Sequence, residues 1–219
     1  MPRGLAVAVL FGMAVVPGAD AARDPVPVLA SLEVRIDPQT RDLDGTGVWT
    51  VPPGESLAIV LADRFDAPRV TVDGQPLAAE PDRNGRRRWR LSPSERVARR
   101  VEIEWHGRLD PLDASLDHRQ VLRPAAPVTA PHGTFLPGAA QWHPLFIGRP
   151  LQYTVAVDLP QSQRAIVAGD PVSDRIANGR RLQAFRFAQP GPAIDLIVTA
   201  LKSSDPEVRK AAAEALGKH

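Results

Sequence analysis

Residues 31–38 read Ser31-Leu32-Glu33-Val34-Arg35-Ile36-Asp37-Pro38. In an extended chain successive side chains leave opposite faces, so Leu32, Val34 and Ile36 point one way and Glu33, Arg35 and Asp37 the other. Period-two alternation is the mark of a strand with one face in a core and one in water. The pattern recurs along the chain. Leu43 to Val51 reads as a second strand, with Gly45 and Gly47 where a bulge would sit. Leu57 to Leu61 is apolar throughout, as a strand buried on both faces requires. Val70-Thr71-Val72 runs into Asp73-Gly74, a two-residue hairpin signal, and Asn84-Gly85 repeats that signal before Trp89 and Leu91. Val101, Ile103 and Trp105 alternate against Glu102, Glu104 and His106.

From Gly107 to Pro131 the alternation fails and prolines stand at 111, 124, 127 and 131, which predicts a long irregular excursion. Order returns at Gly133-Thr134-Phe135-Leu136, at Leu151 to Val157, at Ala165 to Ala168 and at Leu182 to Phe187. Short strands separated by turn signals predict a mainly β fold, a sandwich or a strongly curved sheet. The tail differs. Asp205-Pro206-Glu207 supplies an N-cap, a proline at the first helical position and an acid in the first turn. Val208, Ala211, Ala212, Ala215 and Leu216 then form an apolar helical stripe closed by Gly217. Residues 193–199 fit both periods, because Ile194, Ile197, Val198 and Leu201 have helical spacing while Ile194, Leu196 and Val198 alternate.

Composition sets outer bounds. A chain of 219 residues, 43% hydrophobic and 24% charged, is large enough for one substantial core. The formal charge of +2 and the near balance of arginine against acid give no reason to expect a nucleic-acid partner. Arg3, the apolar run from Gly4 to Val16, Pro17-Gly18 and Ala19-Asp20-Ala21 read as an export signal cut after Ala21. The run falls short of the ~20 residues that span a bilayer, so no membrane span is expected in the mature chain. Cysteine is absent and neither Asn84-Gly85-Arg86 nor Asn178-Gly179-Arg180 is a glycosylation sequon. A bacterial periplasmic or secreted location is the expectation.

Catalytic chemistry is hard to place. His106, His118, His132 and His143 lack the i, i+4 spacing of a helical zinc pair, and no thiolate is available to help them. Asp110, Asp113 and Asp117 lack the glycine and spacing of a calcium loop. No nucleophile elbow, phosphate loop or dinucleotide fingerprint occurs. Arg86-Arg87-Arg88 beside Trp89 reads as a charged edge that discourages unwanted strand pairing. Trp142-His143-Pro144 is the most distinctive local group and reads as a loop anchored to the sheet. No cofactor, metal ligand or catalytic residue is assigned. Trp142, His143 and Tyr153 are the candidate binding residues.

Two resemblances extend this reading. Leu32-Glu-Val-Arg-Ile-Asp-Pro-Gln-Thr-Arg-Asp-Leu-Asp-Gly resembles the opening of the N-terminal domain of aminopeptidase-N-like zinc metallopeptidases, the gluzincin aminopeptidases. Gly133-Thr-Phe-Leu, Trp142-His-Pro, Tyr153-Thr-Val-Ala-Val-Asp-Leu-Pro and Ala165-Ile-Val-Ala-Gly resemble later segments of the same domain, in order. The resemblance covers most of residues 32–198 and implies a saddle-shaped, mainly antiparallel β domain, its sheets saddle- or sandwich-like, that packs on a separate catalytic domain. The chain lacks that family's His-Glu-x-x-His motif and its Gly-x-Met-Glu-Asn segment, and Pro144-Leu-Phe-Ile-Gly-Arg-Pro replaces its Pro-Cys-x-Asp neighbourhood. Residues from Asp195 to Lys218 resemble one HEAT repeat, a unit that normally stacks on neighbours. The expected organisation is a signal peptide over 1–21, a β domain over 22–198 and a helical tail over 199–219, its hairpin starting as early as residue 193.

The function expected is that of a non-catalytic accessory domain of an exported aminopeptidase-like protein, serving interdomain or protein–protein packing and not itself an enzyme. The alternative is a free-standing β-sandwich that binds peptide or glycan, its pocket formed by Trp105, Trp142, Tyr153 and the excursion over 107–131. A hydrolase built from His118, His132 or His143 with the loop aspartates ranks last.

Overall fold

The computed structural model describes residues 25–54, 56–80, 86–111 and 127–200. The export signal, the Asn84-Gly85 turn and the tail beyond Ala200 lie outside these residues, as do His118, Asp113 and Asp117. The first half of the chain gives strands β1 (Val28–Asp37), β2 (Asp42–Val51), β3 (Leu57–Ala62), β4 (Phe65–Val72), β5 (Gln75–Pro76), β6 (Arg86–Leu91), β7 (Arg99–Arg108) and β8 (Asp110–Pro111). The second half gives β9 (Val128–Ala130), β10 (Gly133–Leu136), β11 (Leu145–Phe146), β12 (Leu151–Pro160), β13 (Gln163–Val167), β14 (Asp170–Ala177), β15 (Arg180–Gly191) and β16 (Leu196–Ala200). One 3₁₀ turn, Gly138–Ala140, interrupts them.

An eight-stranded sheet in the order β14-β15-β12-β1-β2-β7-β4-β5 forms one layer. A five-stranded sheet, β13-β16-β10-β9-β8, and a three-stranded sheet, β11-β3-β6, supply the other side of a single apolar core. The alternation that begins at Leu32 sets this arrangement. Val28, Ala30, Leu32, Val34 and Ile36 are buried, while the residues between them up to Arg35 are exposed. Burying each such aliphatic side chain contributes about 1.5–3 kcal/mol, so Val34→Asp would break the register of the central strand. Pairing is antiparallel except at β1–β12 and β8–β9, and the parallel β1–β12 ladder lies in the middle of the large sheet.

The glycines of β2 do not make a bulge. Both ladders of β2 run without a register shift. Gly45 pairs with Trp105, and a Cβ on Gly45 would fall 2.2 Å from the Trp105 ring. One on Gly47 would fall 2.5 Å from the ring of Trp49, two residues along on the same face. The glycines make room for two indoles whose centroids stand 6.0 Å apart, and Phe146 of β11 lies 6.0 Å from Trp49. These aromatics join the large sheet to the three-stranded one.

The two ends of the excursion, residues 107–111 and 127–131, are paired where an irregular segment was expected; its interior, 112–126, lies outside the described residues. β7 continues to Arg108, and Asp110 and Pro111 pair in parallel with Val128 and Thr129. Buried Thr129 and Thr134 share a hydrogen bond of 2.6 Å across β9–β10. At the chain's other ambiguous segment, Leu196–Ala200 is a strand held between β10 and β13. Backbone pairing on both sides selects the extended form over the helical one that the same residues permit.

Candidate functional site

Pro137 enters the 3₁₀ turn and Gln141, at φ 54°, leaves it in the left-handed conformation, which sends Trp142 and His143 inward. Both are fully buried. The Trp142 Nε1–H donates to the carbonyl of Ile194 at 2.9 Å, and the amide N–H of Ile194 donates to His143 Nε2 at 3.1 Å. An amide can only donate, so Nε2 carries no proton; Nδ1 does, and donates to the Pro144 carbonyl at 3.0 Å. The two rings meet edge to face at 4.7 Å. Asp195 Oδ1 accepts the Gly138 N–H at 2.7 Å, and a Cβ on Gly138 would lie 2.5 Å from that of Ala193. Residues 138–143 therefore clamp residues 193–195 just before β16.

Burial lowers the His143 pKa from its ordinary 6.5 to about 4, against the opposing pull of the Pro144 carbonyl. At neutral pH the ring is uncharged with both nitrogens occupied, so neither is free to hold a metal or take a proton. Tyr153 stacks on Phe187 with centroids 5.3 Å apart and donates its hydroxyl to the Ala168 carbonyl at 3.0 Å. Burial first, then the charge of Asp195, pushes the phenol well above its usual range. The three candidate binding residues are thus satisfied within the core and offer no open aromatic surface.

The remaining candidates stand apart. His106 is exposed on β7 with its Nε2 3.8 Å from Asp66, His132 is exposed in the β9–β10 turn, and Asp110 pairs with Arg64 at 2.7 Å. No group of three or more metal-ligating side chains forms among the described residues. Arg87 bonds the Phe65 carbonyl and Asp66, while Arg88 and Arg90 share Glu80 at 3.3 and 2.7 Å. These arginines dress an edge strand. One polar cluster went unforeseen: Arg181, only 7% exposed, bonds Asp174 at 2.7 Å, Gln183 reaches the same carboxylate at 3.2 Å, and Arg164 lies 3.5 Å away. The outer face of the large sheet carries a shallow trough lined by Ser31, Glu33, Thr46, Arg69, Glu102 and Glu104, with Arg69 paired to Glu104.

No family model and no curated protein matches the chain. Solved structures do. An M1 zinc metallopeptidase mutant from Deinococcus radiodurans, bound to a Tyr-Ser-Ala substrate, aligns with a TM-score of 0.58 at 20% identity, over 79% of this chain and 42% of that one. A second structure of such a mutant from that organism gives 0.57 at 20% identity, over 80% and 42%. A two-domain M1 zinc metallopeptidase mutant bound to L-arginine gives 0.55 at 22% identity, again over 80% and 42%. The chain spans less than half the length of these proteins. What it shares with that part of the M1 zinc metallopeptidases is the β fold.

Proposed function

We propose that the chain is a non-catalytic accessory domain of an exported aminopeptidase-like protein, working by packing against a catalytic domain or a partner protein. The observation that carries this reading is the coverage: 79% of this chain matches 42% of an M1 zinc metallopeptidase chain. The sequence supplies no His-Glu-x-x-His pair, and His106, His132 and His143 stand on separate elements with different burial. Export rests on the leader-like residues 1–21. Among the described residues no helix is long and apolar enough to cross a membrane.

Burial of the aromatics favours packing over ligand binding. A peptide or glycan pocket would use Trp105, Trp142 and Tyr153, which are 1%, 0% and 3% exposed. Calorimetric titration of the purified chain with short peptides and oligosaccharides tests this choice. No saturable heat at millimolar ligand is expected. Saturable binding of either class would replace the packing role with a binding one.

A further inference from the structure

The two margins of the large sheet are finished differently. An edge strand turns the N–H and C=O of every second residue away from its neighbour, and natural edges are guarded by proline, bulges or charge. At one margin β4 carries such guards. Pro68 stands within it, its ladder with β7 shifts between Asp66 and Arg69, and Arg87 Nε donates to the Phe65 carbonyl. At the other margin β14 pairs with β15 alone among the described residues and is exposed along almost its whole length. It is guarded only at its start, where Pro171 lacks an N–H and the ladder shifts between Pro171 and Ser173. From Ser173 to Ala177 the register is unbroken, which leaves a regular main-chain edge open.

The side chains beside this stretch decide what it can accept. Residues opposite each other in a ladder share a face, so Ile176, opposite Arg181, lies on the core side and Arg175, opposite Leu182, on the outer side. Ile176 is 56% exposed. Arg175 is exposed and has no ion-pair partner among the described residues. Arg164 and Arg181 share the one carboxylate of Asp174, at 3.5 and 2.7 Å, and Arg181 Nε is buried with no acceptor among the described residues. Arg180, opposite Ala177, is balanced by Asp158 at 2.8 Å, and Asp170 at the guarded end lies opposite Arg186. Arg164, Arg175 and Arg181 therefore stand against Asp174 alone, a surplus of positive charge on both faces of the open edge. A second copy of the chain would bring the same surplus and be repelled, whereas an acidic strand is complementary to it.

We infer that Ser173–Ala177 is a docking edge for an acidic strand of a partner protein, added to β14 by main-chain hydrogen bonds with a carboxylate beside Arg175 and an apolar side chain over Ile176. The inference rests on the packing role proposed above and gives that role a surface. The partner's strand is one already held in its own sheet: a free peptide loses backbone entropy at every residue it orders, and a preformed strand has little left to lose. Short peptides therefore give no saturable heat while a folded probe binds. The probe is a three-stranded miniprotein, large enough to fold alone, whose free edge alternates glutamate and valine. It is titrated at low salt into the isotope-labelled full chain and followed by amide shifts and amide exchange. Saturable shifts centred on Ser173–Ala177 are expected, with exchange slowed at alternate amides of that stretch. Arg175→Glu, or lysine for glutamate in the probe, should weaken binding on the order of tenfold, and Arg100→Glu on β7, across the sheet, should not. No binding, equal binding of the lysine probe, or shifts centred elsewhere overturns the inference. If the miniprotein fails and short peptides stay silent, this edge falls and the packing role stands; saturable binding of short peptides overturns that role and the inference with it.

Discussion

Trp142 and His143 are consecutive, yet they grip one peptide group from both ends, the indole on the Ile194 carbonyl and the imidazole on its amide. Trp142→Phe keeps the aromatic bulk but leaves that carbonyl unpaired in the core. Denaturant unfolding should show a loss of about 1–3 kcal/mol. The histidine makes the clamp sensitive to acid. Its pKa falls from 6.5 to about 4 on burial, so between those values the unfolded chain binds a proton that the folded chain refuses. Stability is therefore full above pH 6.5, declines as pH falls, and by pH 4 has lost about 3 kcal/mol. Thermal unfolding across pH 4–7 should show this slope in the native chain and not in His143→Asn; equal slopes would mean the ring is not buried neutral. The Trp-His-Pro group was legible in the sequence as an anchor because a wide aromatic beside prolines has few other uses. Its partner was not, since Ile194 contributes only backbone atoms, which leave no trace in residue identity.

Strands with one wet face announced themselves, and the central ones, β1, β2, β7 and β12, follow their alternation closely. β14 did not. Exposed on both sides, it has no apolar period to read, and the only signal was Asn178-Gly179, whose φ values of 51° and 73° make the tight turn into β15. The β2 glycines misled for the opposite reason: their role is set by tryptophans, one of them on another strand. Gly45→Ala should cost about 1–3 kcal/mol by overpacking against Trp105, and Gly47→Ala a similar amount against Trp49. Gly74→Ala has no neighbour within 4 Å but holds φ +80°, so its penalty is conformational, about 1–2 kcal/mol. Urea melts of the three variants separate the effects, because a small further side chain such as serine leaves the Gly74 penalty unchanged and enlarges the other two.

At the scale of the molecule, the mainly β architecture was legible because so many segments carry their own periodicity, while the order of the strands in the sheets, with its parallel β1–β12 ladder, was not. The role was less legible than the architecture, since a packing surface has no motif to match in the way a zinc site has. The likeness to M1 zinc metallopeptidases is one of fold, and the account built on it treats this chain as the part that does no chemistry. The most direct test is hydrolysis of amino-acid anilides by the purified chain with added zinc, with the bound metal quantified in the same sample. The account predicts no stoichiometric zinc and no chelator-sensitive turnover. Zinc bound one to one, with cleavage abolished by chelation and restored by metal, would show that the chain carries a catalytic centre and would contradict it.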